Sequence, residues 1–172
     1  MRTMSKILSN DFISAYAKTE PKWGFGALSE ITYARTYARP TPLGGKERWY
    51  QCLERVVNGT FQMKHEHLAK NNLPIDIEKD TQTAQEMYDR MFNFKILPPG
   101  RGMWVMGTTL TTHSDEKKRL YAALNNCCFV STQNLEKDLS KPFKFTMDML
   151  MLGVGVGADL KGAGKIDVLK PN

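Results

Sequence analysis

The chain has 172 residues, of which 41% are hydrophobic and 24% are charged, and it carries 24 Lys and Arg against 18 Asp and Glu. This length corresponds to about one domain with a substantial core. The composition excludes a disordered tail, a collagen-like fibre and a disulfide-stapled miniprotein. A net charge of +6 suits phosphate-bearing partners, although an ordinary, slightly basic surface is the plainer interpretation.

The sequence shows no sign of membrane association or secretion. No segment approaches the roughly 20 apolar residues of a membrane span. The segment Met1–Leu8 is basic but lacks an apolar run of signal-peptide length. We therefore expect a cytoplasmic protein, with no membrane partner and with cysteines that are reduced at rest.

The first half of the chain predicts helices. Residues 9–20 fit a short helix capped by Ser9 or Asn10, and residues 21–45 are irregular, with a short strand or a single helical turn at 30–39. Residues 46–57 fit a helix whose apolar stripe includes Cys52 as a core residue. The pair Asn58-Gly59 ends or kinks that helix, and 60–70 continue as a second piece. Another helix is expected at 81–94, capped by Asp80 or Thr81.

The second half predicts the beginning of a sheet. The prolines of 97–102 indicate a loop, and 108–123 fit a polar loop or a short helix. A strand is expected at 126–131, a helix capped by Ser140 at 141–152, and a possible second strand near 157–160. The chain thus divides into a mostly helical region, 1–95, and the start of an α/β domain, 96–172, whose strand edges are left unpaired.

The glycine-rich segment Gly153–Gly157 with Ala158 fits the dinucleotide pattern G-x-G-x-x-A. That fingerprint needs a strand before it and a helix after it. Here a helix precedes, so a Rossmann site is disfavoured. A helix stop and a close backbone approach to a nucleotide or substrate both remain open.

Three other segments invite a chemical interpretation. His65-Glu66-His67 suggests a metal site, but residues i and i+2 of a helix point to different sides, which favours a solvated helix face. Cys127 and Cys128 should face opposite sides of a strand, with one toward the core, so they are not joint ligands and no metal site is predicted. Arg101 in the 97–102 loop could hold a phosphate, although a surface turn is the plainer interpretation.

Six groups of short segments are spread along almost the whole chain. They are Ile7–Ile13; Gly24–Leu28 with Arg35–Arg39; Glu47–Tyr50 through Arg55–Thr60; Leu97–Trp104; Ala123–Cys127; and Pro142-Phe143 through Gly153–Gly157. In this order they resemble the adenosylcobalamin-dependent (class II) ribonucleotide reductases, specifically the monomeric ribonucleoside-triphosphate reductase branch.

The resemblance implies an α/β fold, or α+β for this stretch alone, in which a helical region leads into the first strands of a ten-stranded barrel. It also implies replacement of a ribose 2′-hydroxyl by hydrogen, started by a thiyl radical that is generated through adenosylcobalamin. Two further cysteines supply the reducing equivalents, and Cys127, directly after Asn126 on the opening strand, matches the first of them. Cys128 is then a bystander. The residues expected to bind substrate are Asn126, Pro99, Gly100, Gly153, Gly155 and Gly157.

The resemblance further implies partners. These are a ribonucleoside triphosphate substrate, a dNTP or ATP effector, a thioredoxin-like reductant and a C-terminal remainder that holds most of the cobalamin. The radical cysteine, the partner of Cys127 and the acidic residue of the reaction would lie beyond position 172, so we expect the chain alone to be inactive. The alternative is a non-catalytic nucleic-acid-binding module that uses the Tyr-Ala-Arg copies at 33–35 and 37–39 and the Lys-rich end.

Overall fold

The structure is a computed structural model that describes residues 6–134 and 137–165. Two compact units divide the chain, Met1–Arg119 and Leu120–Asn172. The boundary predicted from the sequence, between residues 95 and 96, is too early. Two short helices that follow residue 96 pack on the long helix of the first unit and therefore belong to that unit.

The first unit is helical. Its helices are α1 (Asn10–Ala17), α2 (Ala27–Thr36), α3 (Trp49–Lys70), α4 (Ile77–Phe92), α5 (Gly100–Val105) and α6 (Thr109–Thr112). The long α3 packs against α1, α4, α5 and α6. Its apolar stripe forms the centre of the core, where Cys52, Leu53 and Val57 are fully buried. The prediction that Cys52 is a core residue is confirmed.

The expected break at Asn58-Gly59 is wrong, since α3 runs through both residues. The side-chain oxygen of Asn58 accepts hydrogen bonds from the backbone N–H groups of Ile7 and Leu8, each at 3.1 Å. Gly59 lies where the backbone of Gly107 approaches closely. Asn58 and Gly59 are residue types that favour a helix break, but here each makes a tertiary contact within a continuous helix.

Other helix boundaries also differ from expectation. Segment 30–39 lies mostly in α2, a ten-residue helix rather than a strand or single turn. α4 begins at Ile77 with Asp76 as its cap, so Asp80 and Thr81 are not caps. Ser9 caps α1 as predicted, by accepting a hydrogen bond from the N–H of Phe12.

Asp80 lies within the first turn of α4 and is buried inside the unit. Its carboxylate contacts His65 Nε2 at 2.7 Å and Lys64 Nζ at 2.5 Å. The prediction of a solvated face is thus wrong for His65, which is only 5% exposed, whereas His67 is exposed. Within 6–134 and 137–165, no group of three or more His, Cys, Asp or Glu side chains could hold a metal ion.

Among its described residues, the second unit contains a short parallel sheet, one α-helix and a 3₁₀ helix at Tyr121–Leu124. Strand β1 (Cys127–Val130) pairs with β2 (Gly155–Ala158), and α7 (Ser140–Met151) connects them and packs on both. The first strand and the helix agree with prediction, while the second strand begins two residues earlier than expected. The carboxylate of Asp138, not Ser140, accepts the N–H groups of Ser140 and Lys141 at the start of α7.

Candidate active site

The parallel pairing places Cys127 beside the glycine-rich strand. Cys127 is the register partner of Gly155, and the Gly155 N–H donates to the carbonyl of Asn126 at 2.9 Å. A Cβ added at Gly155 would lie 3.7 Å from Cys127 Sγ. The missing side chain therefore leaves the space next to the thiol open.

The alternation of strand side chains separates the two adjacent cysteines. Cys127 is exposed, whereas Cys128 is only partly exposed. Phe129 is exposed on the same face as Cys127, and Gly157 opposes it in β2. One face of the sheet thus presents a thiol, two glycines and an aromatic ring, and Cys128 belongs to the other face.

The glycine-rich segment both ends α7 and forms β2. Gly153 has a φ of +74°, and its N–H donates to Leu150 at 2.8 Å, which terminates the helix. Val154 is buried directly after it, and Gly155 begins the strand. The helix before the glycines is as the sequence predicted, and the strand lies within them, so the order required for dinucleotide binding, strand then glycines then helix, is not present here.

A carboxylate ties the two strands together where they end. Asp159 follows β2, and its Oδ1 accepts the N–H and the hydroxyl of Thr132, at 2.8 and 2.7 Å. Its Oδ2 accepts the hydroxyl of Ser131 at 2.7 Å. These hydrogen bonds, those of Thr132 first, hold the pKa of Asp159 well below its usual range. We call Ser131, Thr132 and Asp159 the strand-end clamp.

The predicted substrate-binding residues Pro99 and Gly100 lie in the first unit, at the start of α5, and Asn126, Cys127 and the glycines lie in the second. The expected loop at 97–102 is wrong in its second half, because Pro99 precedes a helix that begins at Gly100. A Cβ on Gly100 would lie 3.1 Å from the hydroxyl of Tyr37. The substrate roles of Pro99, Gly100, Asn126, Gly153, Gly155 and Gly157 remain predictions.

Sequence reasoning missed the residue that holds α5 in place. Arg55 donates through Nε and Nη2 to the two carboxylate oxygens of Glu47, at 2.7 and 3.0 Å. It also donates to the carbonyls of Met103, at 2.9 Å, and Met106. Arg55 comes three residues after Cys52, at the edge of the apolar stripe of α3. A charged residue at the edge of an apolar helix stripe is the sequence signal that could have indicated a buried ion pair here.

Arg55 also lies close to an unreactive thiol, that of Cys52. Arg55 Nη2 lies 3.4 Å from Cys52 Sγ. Burial raises the pKa of the Cys52 thiol to about 11, so the thiol stays protonated at neutral pH. This cysteine belongs to the core and not to a reactive site.

Comparison with known proteins identifies the family. The model of the ribonucleotide reductase alpha domain matches residues 8–108, more than half of the chain. The chain belongs to this family. The chain is 46% identical, over 92% of its length, to a probable adenosylcobalamin-dependent ribonucleoside-triphosphate reductase of Dictyostelium discoideum. It is 44% identical, over 96% of its length, to an adenosylcobalamin-dependent ribonucleoside-triphosphate reductase of Euglena gracilis.

A solved structure supports the same conclusion for the fold. The chain resembles a crystal structure of a B-12 dependent (class II) ribonucleotide reductase with a TM-score of 0.69 and 31% identity, over 88% of its own length. It spans 22% of that structure and 20–22% of the two relatives named above. The helix-rich fold with the start of a parallel sheet is thus that of the class II reductases, as the resemblance implied.

Proposed function

We propose that this chain forms the N-terminal part of an adenosylcobalamin-dependent ribonucleoside-triphosphate reductase and that Cys127 is one of its two reducing thiols. The observation that carries the proposal is the exposed Cys127 on β1, directly after Asn126 and beside Gly155. In this reaction Cys127 and a second thiol outside this chain become a disulfide and give up two electrons and two protons. The ribose 2′-hydroxyl leaves as water, and hydrogen takes its place.

The geometry suits a thiol that must meet a sugar. A strand holds Cys127 more rigidly than a loop would. The glycines at 155 and 157 leave backbone groups uncovered on the same face. We therefore propose that the substrate ribose approaches Cys127 across β2, with Asn126, Gly153, Gly155 and Gly157 as contacts. Separately, and on the family resemblance alone, we propose that Pro99 and Gly100 bind substrate.

The same proposal includes the cofactor and partners. Adenosylcobalamin supplies the radical that starts the reaction when it is bound. On the family resemblance, we assign most of the cobalamin site to the C-terminal remainder, and we derive no step through it. A thioredoxin-like reductant would restore the thiols, and a dNTP or ATP would act as effector. We also propose a cytoplasmic setting, in which thiols stay reduced. No helix within 6–134 and 137–165 is long and apolar enough to span a membrane.

The alternative of a nucleic-acid-binding module is not supported. It needs the Tyr-Ala-Arg copies to present their aromatic rings. The ring of Tyr33 is only 6% exposed and packs against Trp23 and Trp49 in the core. The relatives named above are reductases.

The test is a chimeric enzyme in which this chain replaces the matched segment of the Euglena gracilis reductase. With adenosylcobalamin and thioredoxin as reductant, Cys127→Ser should lower turnover by about 100-fold or more. Cys128→Ser is the matched control, and we expect it to stay within about threefold of the unsubstituted chimera. Greater sensitivity to Cys128→Ser would show that the other face of β1 carries the chemistry.

A further inference from the structure

The glycine-rich strand has a sequence that does not define its own register. The segment Gly153–Gly157 alternates glycine and valine. Side chains of a strand alternate between faces with a period of two. If β2 slipped by two residues along β1, glycines would again lie on the face of the sheet that carries Cys127. Valines would occupy most positions of the opposite face. Register is weakly specified in glycine-rich strands of this kind.

The backbone ladder contributes little that would distinguish these registers. The sheet has four register pairs, from Cys127 with Gly155 to Val130 with Ala158. Parallel ladders are the less stable kind per residue. On the Cys127 face, Gly155 and Gly157 have no side chains that could interlock with a neighbour. A contact outside the repeat must therefore select the register.

α7 and the buried Val154 hold the start of β2, and the strand-end clamp is such a contact at its other end. Asp159 follows the last pair, and it is not part of the glycine–valine repeat. Its carboxylate accepts from Ser131 and Thr132, which directly follow β1, and from the N–H of Lys161 at 3.2 Å. The hydroxyl of Thr132 in turn accepts the N–H of Gly162 at 2.8 Å. A two-residue slip moves Asp159 by about 6–7 Å along β1 and breaks the hydrogen bonds between the two strands.

We propose that Asp159 and Thr132 act as positioning residues, which lock β2 in the register that sets Gly155 beside Cys127. This inference rests on the proposed function only in taking Cys127 as the reacting thiol. Because Asp159 is ionised well below neutral pH, its oxygens remain acceptors at the pH of the cell. The lock thus acts at the far end of β1 from the thiol, through the backbone of two strands.

The experiment is cross-strand disulfide trapping in the full chain, with Cys128→Ser as background. Gly155→Cys places a thiol opposite Cys127, and Gly157→Cys places one opposite Phe129. Mild oxidation, followed by mass spectrometry of the digest, measures the bridge from Cys127 to either position. With the clamp intact, we expect the yield of the disulfide from Cys127 to position 155 to exceed the yield of the disulfide to position 157 by about 10-fold. The reason is that the Cα atoms of two cysteines must lie within about 7 Å of each other to form a disulfide.

Clamp variants should change the ratio of the two bridges. Asp159→Ala or Thr132→Val should raise the 157:155 ratio at least about fivefold, while the total bridged fraction is kept. The conservative variants Asp159→Asn, which keeps an acceptor oxygen, and Thr132→Ser, which keeps the hydroxyl, should retain the original ratio. An unchanged ratio in Asp159→Ala and Thr132→Val, or an equal loss at both positions, would overturn the proposal. No turnover is measured, so failure here is distinct from failure of the reductase function.

Discussion

The close approach of α3 to Gly107 makes Gly59→Ala a sharp test of the first unit. In an exposed helix this change is expected to stabilise, because alanine is favoured over glycine by about 1 kcal/mol. Here the new Cβ would lie 2.5 Å from the Cα of Gly107 and 2.6 Å from its N. Ordinary carbon–carbon contacts are about 3.5–4.0 Å, so the backbone must move by about 1 Å.

The backbone at Gly107 has little freedom to move. Its φ is +73°, and a Cβ there would collide with the carbonyl oxygen of Arg55. Arg55 also holds the carbonyl of Met106. Overpacking against such a rigid neighbour costs about 3 kcal/mol, and the helical preference for alanine offsets about 1 kcal/mol of this. We therefore expect Gly59→Ala to lower the free energy of unfolding by about 2 kcal/mol.

Urea unfolding followed by tryptophan fluorescence measures this loss, because Trp23, Trp49 and Trp104 all lie in the first unit. With a slope of about 2 kcal/mol per molar urea, the midpoint should fall by about 1 M. Gly24→Ala is the matched control, since nothing lies within 4 Å of its added Cβ, and it should leave the midpoint almost unchanged. A midpoint that rises in Gly59→Ala would refute the close contact between α3 and Gly107.

Two further substitutions and one binding measurement test other parts of the chain. Gly155→Val should lower turnover of the chimeric reductase strongly while changing the urea midpoint of that chimera, followed by circular dichroism, only slightly, because its γ carbons would extend over Cys127; a loss of stability large enough to account for the lost turnover would favour a plain helix stop. Hydrogen bonds from Lys64 and His65 keep the pKa of Asp80 below its ordinary 3.8, so its stabilising effect is present above that pH and is lost as the pH falls through the lower folded value. Asp80→Asn should therefore lower the midpoint at pH 7 by an amount that shrinks in acid, and a gap that stays constant with pH would contradict this. The isolated chain should bind a hydrophobic dye through the exposed apolar side chains of its second unit, whereas a monodisperse monomer without dye binding would refute this expectation. These side chains are Phe129, Leu139, Phe143, Phe145, Met147, Leu150, Met151 and Leu160.

Sequence patterns correctly predicted the helices and strands that are determined by residues close together in the sequence. The helix at 141–152 and the strand at Cys127 were predicted because period and composition decide them. The opposite faces of Cys127 and Cys128 follow from the geometry of any strand. These predictions needed no knowledge of contacts between distant residues.

The failures have non-local causes. Asn58 and Gly59 indicated a break, but each makes a tertiary contact, with the segment at Leu8 and with Gly107. His65 was placed on a solvated face because its partner, Asp80, lies on a different helix. The strand-end clamp joins residues 27 and 28 positions apart, and no short motif indicates it.

The anchoring of Leu8 on Asn58 has a consequence for synthesis on the ribosome. Leu8 is buried, and its hydrogen-bond partner lies 50 residues later in the chain. The carbonyls that Arg55 holds, at Met103 and Met106, come later still. A nascent chain that has just released α3 therefore still exposes the apolar stripe that α4 and α5 will cover. The first unit can close only after Gly107 has emerged from the exit tunnel, so until then its earliest residues lack their native neighbours and their apolar side chains stay exposed.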